Sequence, residues 1–204
     1  MNLIQWINIL WEQVKQTGWL EWLGVSFGVA EVLFAKANKI WLYPAGIISV
    51  IITIYLFYTV GLYAESALNI YYLIMSIWGW WLWIYRKDKA PLPVTRSNAK
   101  DKKITVAIVV IAFFFLYLIL KNFTDSRVPL FDAWVSATAW AGMWLLAKRK
   151  LENWIWLNIS NAFAIPLLFY KELPLYALLT VFLFVIAIQG YFKWKKIINE
   201  EQSI

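Results

Sequence analysis

Seven runs of apolar residues, each long enough to cross a bilayer, recur along the 204-residue chain. A hydrocarbon core of about 30 Å takes roughly 20 residues at about 1.5 Å of helical rise each. The runs cover Trp19–Lys36, Ile40–Val60, Ala64–Tyr85, Ile104–Leu120, Val128–Ala147, Trp154–Tyr170 and Leu173–Tyr191, here spans 1 to 7. Hydrophobic residues make up 62% of the chain and charged residues 15%, against about 45–50% and about 25% in a soluble domain. A water-soluble fold could not bury that excess, so lipid is the expected solvent. The chain is expected to be an all-α integral membrane protein.

The first 17 residues have a different pattern. Leu3, Trp6, Ile7, Leu10, Trp11 and Val14 repeat at helical spacing among Gln5, Glu12, Gln13 and Gln16. That pattern predicts an amphipathic helix lying in the interface. A signal peptide would need a basic start and a small-residue cleavage site before Trp19, and the sequence shows neither.

Lys and Arg orient the spans. Seven crossings place Lys36, Lys39, Arg86, Lys87, Lys89, Arg96, Lys100, Lys102, Lys103, Lys148, Arg149, Lys150, Lys193, Lys195 and Lys196 on one side. Lys15, Lys121, Arg127 and Lys171 fall on the other. The positive-inside rule puts the larger group in the cytoplasm, with the N-terminus outside and the C-terminus inside. Charge placed this way explains the net +7 without nucleic acid as a partner.

The halves resemble each other at a spacing of about 113 residues. Leu56-Phe57-Tyr58 closes span 2 as Leu168-Phe169-Tyr170 closes span 6, and Leu62-Tyr63-Ala64 opens span 3 as Leu175-Tyr176-Ala177 opens span 7. Gly79-Trp80-Trp81-Leu82-Trp83 matches Gly190-Tyr191-Phe192-Lys193-Trp194. A three-helix unit repeated around a single connecting helix gives two parallel triplets, a 3+1+3 plan like that of SWEET transporters. The expected segments are an interfacial helix (1–17), a first triplet (18–85), a basic linker with span 4 (86–127), a second triplet (128–194) and a cytoplasmic tail (195–204). Pro44 and Pro166 are candidate bends.

Polar residues inside spans mark candidate function, because amides and carboxylates are costly in lipid. Glu65, Asn69, Tyr72 and Ser76 share one face of span 3; Asp132, Ser136 and Trp140 share one face of span 5; Trp154, Asn158 and Asn161 share one face of span 6, with Ser160 off it. Glu31 lies deep in span 1, Gln189 near the end of span 7, and Trp156 beside Trp154. The candidate substrate residues are Asn69, Tyr72, Ser76, Trp154, Trp156, Asn158, Asn161, Gln189, Glu31 and Trp140. Aromatic faces stack on a ring and attract a cation, while amides pair with ring amides or hydroxyls. Most other Trp and Tyr residues sit at span ends, as an interfacial aromatic belt would. No span carries a basic cluster, which disfavours an anionic solute.

Histidine and cysteine are absent, so Ser–His hydrolysis, thiol chemistry and most transition-metal sites are excluded, and no cofactor is expected. Asp132 is the only aspartate in a span, so an aspartyl dyad is missing too, and the chain is not expected to be an enzyme. A retinal receptor would need a lysine within span 7. A channel would need a continuous polar pore, whereas Trp and Leu interrupt these faces; an accessory subunit would not need the repeat. Transport of a small, aromatic, neutral or cationic solute by alternating access fits best.

Leu62-Tyr63-Ala64, Asn69 and Gly79-Trp80-x-x-Trp83, with Glu152-Asn153-Trp154 and then Asn161, resemble the Pnu family of bacterial vitamin transporters over spans 1 to 7. The resemblance implies facilitated diffusion of an unphosphorylated vitamin across the bacterial cytoplasmic membrane. It also implies trapping by a cytoplasmic kinase and a homotrimer. Substrates in the family include nicotinamide riboside (PnuC type), thiamine (PnuT type) and riboflavin. Asn69 stands where nicotinamide riboside transporters usually have Gln, Ser76 where they can have Asn, and Leu157 where a second Trp is usual. The run Asn69-Ile-Tyr-Tyr-Leu-Ile-Met-Ser76 looks more like the thiamine type, with nicotinamide riboside of nearly equal weight.

Overall fold

The computed structural model describes residues 3–85 and 92–201 and is all-helical, the described residues forming eight helices. They are α1 (Leu3–Gln16), α2 (Trp19–Lys36), α3 (Leu42–Thr59), α4 (Tyr63–Ile84), α5 (Ala99–Phe123), α6 (Pro129–Ala147), α7 (Asn153–Tyr170) and α8 (Pro174–Glu201). Arg86, Lys87 and Lys89 of the expected basic linker, and residues 202–204 of the expected tail, lie outside the described residues.

By length and hydropathy alone, α3, α4, α5 and α8 qualify as membrane spans, and α1 with α2 forms a fifth as a pair bent by 104°. The sequence led to an expectation of seven. With α2 counted in the bent pair the difference is α6 and α7, and α2 by itself falls short as well; each of the three carries several polar or charged residues. α2 carries Glu21, Glu31 and Lys36; α6 carries Asp132, Ser136 and Thr138; α7 carries Asn153, Asn158, Ser160 and Asn161. Carboxylates, amides and hydroxyls lower the mean hydropathy of a helix wherever they point, so these three score low.

Two helices are longer than their apolar runs. α5 begins five residues before Ile104 because Asn98 caps it: its Oδ1 accepts from the Asp101 N–H at 2.8 Å, and the Asp101 carboxylate accepts from the Asn98 N–H at 3.3 Å. This reciprocal box satisfies two backbone donors at the helix start. Asn98→Ala should cost about 1 kcal/mol of stability, read from denaturant unfolding in detergent. α8 continues ten residues past Tyr191, so residues 195–201 are helix.

In each triplet the middle helix packs between the other two: α3 between α2 and α4, α7 between α6 and α8. The triplets meet reciprocally, α2 on α8 and α4 on α6, while α5 packs on α6. The first helix of each group thus packs on the third helix of the other.

The register of that relation is 111 residues. Four turns end in a left-handed residue: Asn38 (φ 57°) and Arg149 (φ 52°), then Gly61 (φ 82°) and Glu172 (φ 58°). In each, the next N–H reaches back five residues, Lys39 to Phe34, Lys150 to Leu145, Leu62 to Phe57 and Leu173 to Leu168, all at 2.9 Å. These are Schellman caps. Ser49 donates to the Gly24 carbonyl and Ser160 to the Val135 carbonyl, both at 2.8 Å. Tyr43 meets Trp83 edge-on at 5.9 Å, and Trp154 meets Trp194 at 5.5 Å. The Leu-Phe-Tyr and Leu-Tyr-Ala matches in the sequence are therefore one and two residues out of structural register. Turn geometry and close packing set the true alignment; similar letters near a helix end do not.

Gly79 and Gly190 occupy equivalent close approaches. A Cβ on Gly79 would lie 2.5 Å from the Tyr43 ring, and one on Gly190 2.7 Å from the Trp154 ring. Around these pairs a buried cluster including Leu42, Tyr43, Leu146, Trp154 and Trp194 closes the end of the bundle that carries the basic turns.

Candidate polar cavity

The opposite end is open. Between α4 and α6 lies a cavity of about 390 Å³. α4 supplies Glu65, Asn69 and Tyr72, one turn apart, and α6 supplies Asp132, Ser136 and Trp140 at the same spacing. The polar faces evident in spans 3 and 5 thus confront each other. Lys171, from the α7–α8 turn, and Asp125, before α6, stand at the rim.

Trp140 is held as a platform. Tyr71 stacks on it with ring centroids 4.2 Å apart and 13° between planes, and the Tyr71 hydroxyl donates to the Trp140 carbonyl at 2.9 Å. Ring stacking and the hydrogen bond together immobilise the indole before any ligand arrives. Asn69 Nδ2 donates to the Glu65 carbonyl at 2.9 Å, leaving the amide oxygen without a hydrogen bond among the described residues.

The charges are unequal. Among the described residues Lys171 is the one cation lining the cavity, and Asp132 takes it up through both carboxylate oxygens at 2.6 and 2.7 Å. Ser126 Oγ also donates to Asp132 at 2.5 Å. Glu65 and Asp125 have no ion pair among the described residues, so the lining carries an excess of negative charge. Such a surface concentrates cations and repels a phosphate monoester. Asp132→Asn would release Lys171 into the cavity. It should weaken binding of an organic cation by about tenfold, a typical worth of one charge-assisted contact, in a calorimetric titration.

The other candidate residues lie elsewhere. Trp154 is a packing residue, 1% exposed, wedged against Gly190 and Trp194. It and Asn158 border a separate groove between α7 and α8 whose walls are otherwise apolar, with Ile155 and Phe192 exposed on its margin. Gln189 is occupied, its Oε1 accepting from Lys36 Nζ at 2.5 Å. Ser76 is 2% exposed and outside the cavity lining. Trp156 and Asn161 are half-buried on α7 and also outside it. Glu31 lies against Gly46 of α3, where the missing side chain leaves room for the carboxylate, and makes no ion pair among the described residues.

Glu65, Asp125, Asp132, Ser136, Tyr71 and Lys171 were absent from the candidates, although Glu65 shares a helix face with Asn69 and Tyr72. Asp132 and Ser136 share a helix face with Trp140, so that face carried the signal. Tyr71 and Lys171 had none: each acts through a residue distant in sequence.

A family model described as nicotinamide mononucleotide transporter matches residues 18–196. A crystal structure of the vitamin B3 transporter PnuC superposes with a TM-score of 0.70 at 23% identity, covering 97% of this chain and 91% of that one. No curated protein matches the chain.

Proposed function

The chain belongs to the nicotinamide mononucleotide transporter family, a family of multi-pass membrane transporters, and from that premise we propose that it carries an unphosphorylated aromatic cation of the vitamin B3 kind, nicotinamide riboside, by facilitated diffusion. The observation that carries this reading is the cavity between α4 and α6, with an immobilised indole, an amide and more carboxylates than cations. A ring bearing positive charge gains from the Trp140 face and from Glu65 and Asp125. The family's description names a nucleotide, but Lys171, the one lining cation among the described residues, is already bound to Asp132, and the surrounding carboxylates disfavour a phosphate. In this proposal Glu31, half-buried on α2 against Gly46 of α3, is a second carboxylate available to the cation. Asn161 is a candidate amide contact on the same path.

The remaining parts of the proposal rest on sequence and family. Seven crossings arranged 3+1+3, with the basic turns in the cytoplasm, put the open cavity on the outer side of a bacterial cytoplasmic membrane. In this proposal the cavity faces outward, the arrangement of an outward-open transporter. Kinase trapping inside would make uptake effective, and the protein would assemble as a trimer.

Thiamine, also an aromatic cation, is the second reading, favoured by the run Asn69–Ser76. Calorimetric titration of nicotinamide riboside, thiamine and nicotinamide mononucleotide into the purified protein separates these readings. Binding of the riboside alone supports the proposal, and binding of thiamine alone moves the assignment to the second reading. Preferential binding of the mononucleotide would refute the electrostatic argument.

A further inference from the structure

The end opposite the cavity is held shut by contacts between the triplets, and Arg149 is their hub. It sits in the α6–α7 turn and is 4% exposed. Its Nη2 donates to Oδ1 of Asn38, the residue at the equivalent position of the α2–α3 turn, so the two related turns touch each other. Its guanidinium lies 3.7 Å from the ring centroid of Trp83 at the end of α4, and its Nη1 donates to the Leu92 carbonyl in the connector. One side chain from the second triplet thereby grips a turn, a helix end and the connector.

The surroundings hold the hub in place. The connector pairs with the same turn, Thr95 N donating to the Arg149 carbonyl at 3.1 Å and Leu151 N to the Thr95 carbonyl at 2.9 Å. Asp101 of α5 binds Lys148 at 2.5 Å and Lys150 at 3.2 Å. These contacts join the connector and α5 to the second triplet and would travel with it. The contacts to Asn38 and Trp83 cross to the first triplet, and any separation of the triplets at this end must break them. Burial lowers the Arg149 pKa to about 10, so the guanidinium is still charged at neutral pH. Arg149 also adopts φ 52°, a conformation that a non-glycine residue holds only against a local cost.

We propose that Arg149 is the latch of an inner gate, clasping Asn38 and Trp83 while the polar cavity is open and releasing them when the triplets part at the basic end. This rests on the transport reading above, but its test needs no substrate. The chain contains no cysteine, so single introduced thiols report access cleanly. Ser76→Cys probes the closed end, since Ser76 is 2% exposed and two turns from Trp83 on α4. Ser136→Cys probes the open cavity. Each is placed in the otherwise unchanged protein, in Arg149→Gly and in Asn38→Gly. Glycine accepts positive φ, so both variants remove the clasp while relieving the turn.

Labelling is by a membrane-impermeant maleimide applied to either face of oriented vesicles. A gate whose open form is a minor population predicts an about tenfold faster reaction at position 76 from the basic face in both variants. Reaction at position 136 from the opposite face should slow. Unchanged rates at both positions would overturn the latch. Faster reaction at both positions would also overturn it, because that is the signature of a loosened fold. If the titrations above are silent while the two rates change reciprocally, the substrate assignment fails and the latch stands.

Discussion

Replacing Trp140 by leucine is expected to weaken binding of the proposed aromatic cation by about thirtyfold, equivalent to about 2 kcal/mol for a desolvated cation–π contact. The size of the effect follows from preparation of the site. Tyr71 stacks on the indole and bonds its backbone carbonyl, so little freedom remains to be lost on binding. Trp140→Phe keeps a ring face and should lose less than Trp140→Leu. Tyr71→Phe keeps the stack but removes the hydrogen bond and should cost only a few-fold. Calorimetry with the preferred ligand measures the series. A Trp140→Leu variant that binds as tightly as the unchanged protein would exclude the cavity as the site.

The second large effect concerns stability. Gly190→Ala would place a methyl 2.7–2.8 Å from three atoms of the Trp154 ring, inside contact distance for any carbon pair. The ring cannot retreat, being 1% exposed and backed edge-on by Trp194. Overpacking of this kind costs about 1–3 kcal/mol. Gly79→Ala should cost a similar amount at the related position, where Tyr43 takes the part of Trp154. Trp154→Leu vacates the space, so Gly190→Ala added to Trp154→Leu should be nearly harmless, a strongly non-additive cycle. Denaturant unfolding in detergent gives all four values, and simple additivity would show that the two side chains do not share one space.

How far the sequence reached depended on the range of the interaction. Residues three and four apart on one helix must share a face, so Glu65, Asn69 and Tyr72, and likewise Asp132, Ser136 and Trp140, were legible as two polar faces. That they confront each other across one cavity depends on α4 packing against α6, more than fifty positions away. The face of Trp154, Asn158 and Asn161 looked equivalent in sequence. Its Trp154 became a packing residue because Gly190 on α8 opens the space that the indole fills, while Asn158 borders a separate groove. Gln189 left the site for a similar reason, since Lys36 on α2 arrives beside it.

Composition and periodicity by themselves determined that this chain lives in lipid and roughly where its helices run. Burial of apolar surface and the 3.6-residue turn act locally and leave their mark in every stretch of chain. Only the tertiary structure decided the register of the repeat, the pairing of polar faces, the neutralisation of Lys171 by Asp132 and the clasp of Arg149 on Asn38 and Trp83. Each of these is a contact between side chains whose meeting depends on helix packing, and packing is a property of the assembled molecule.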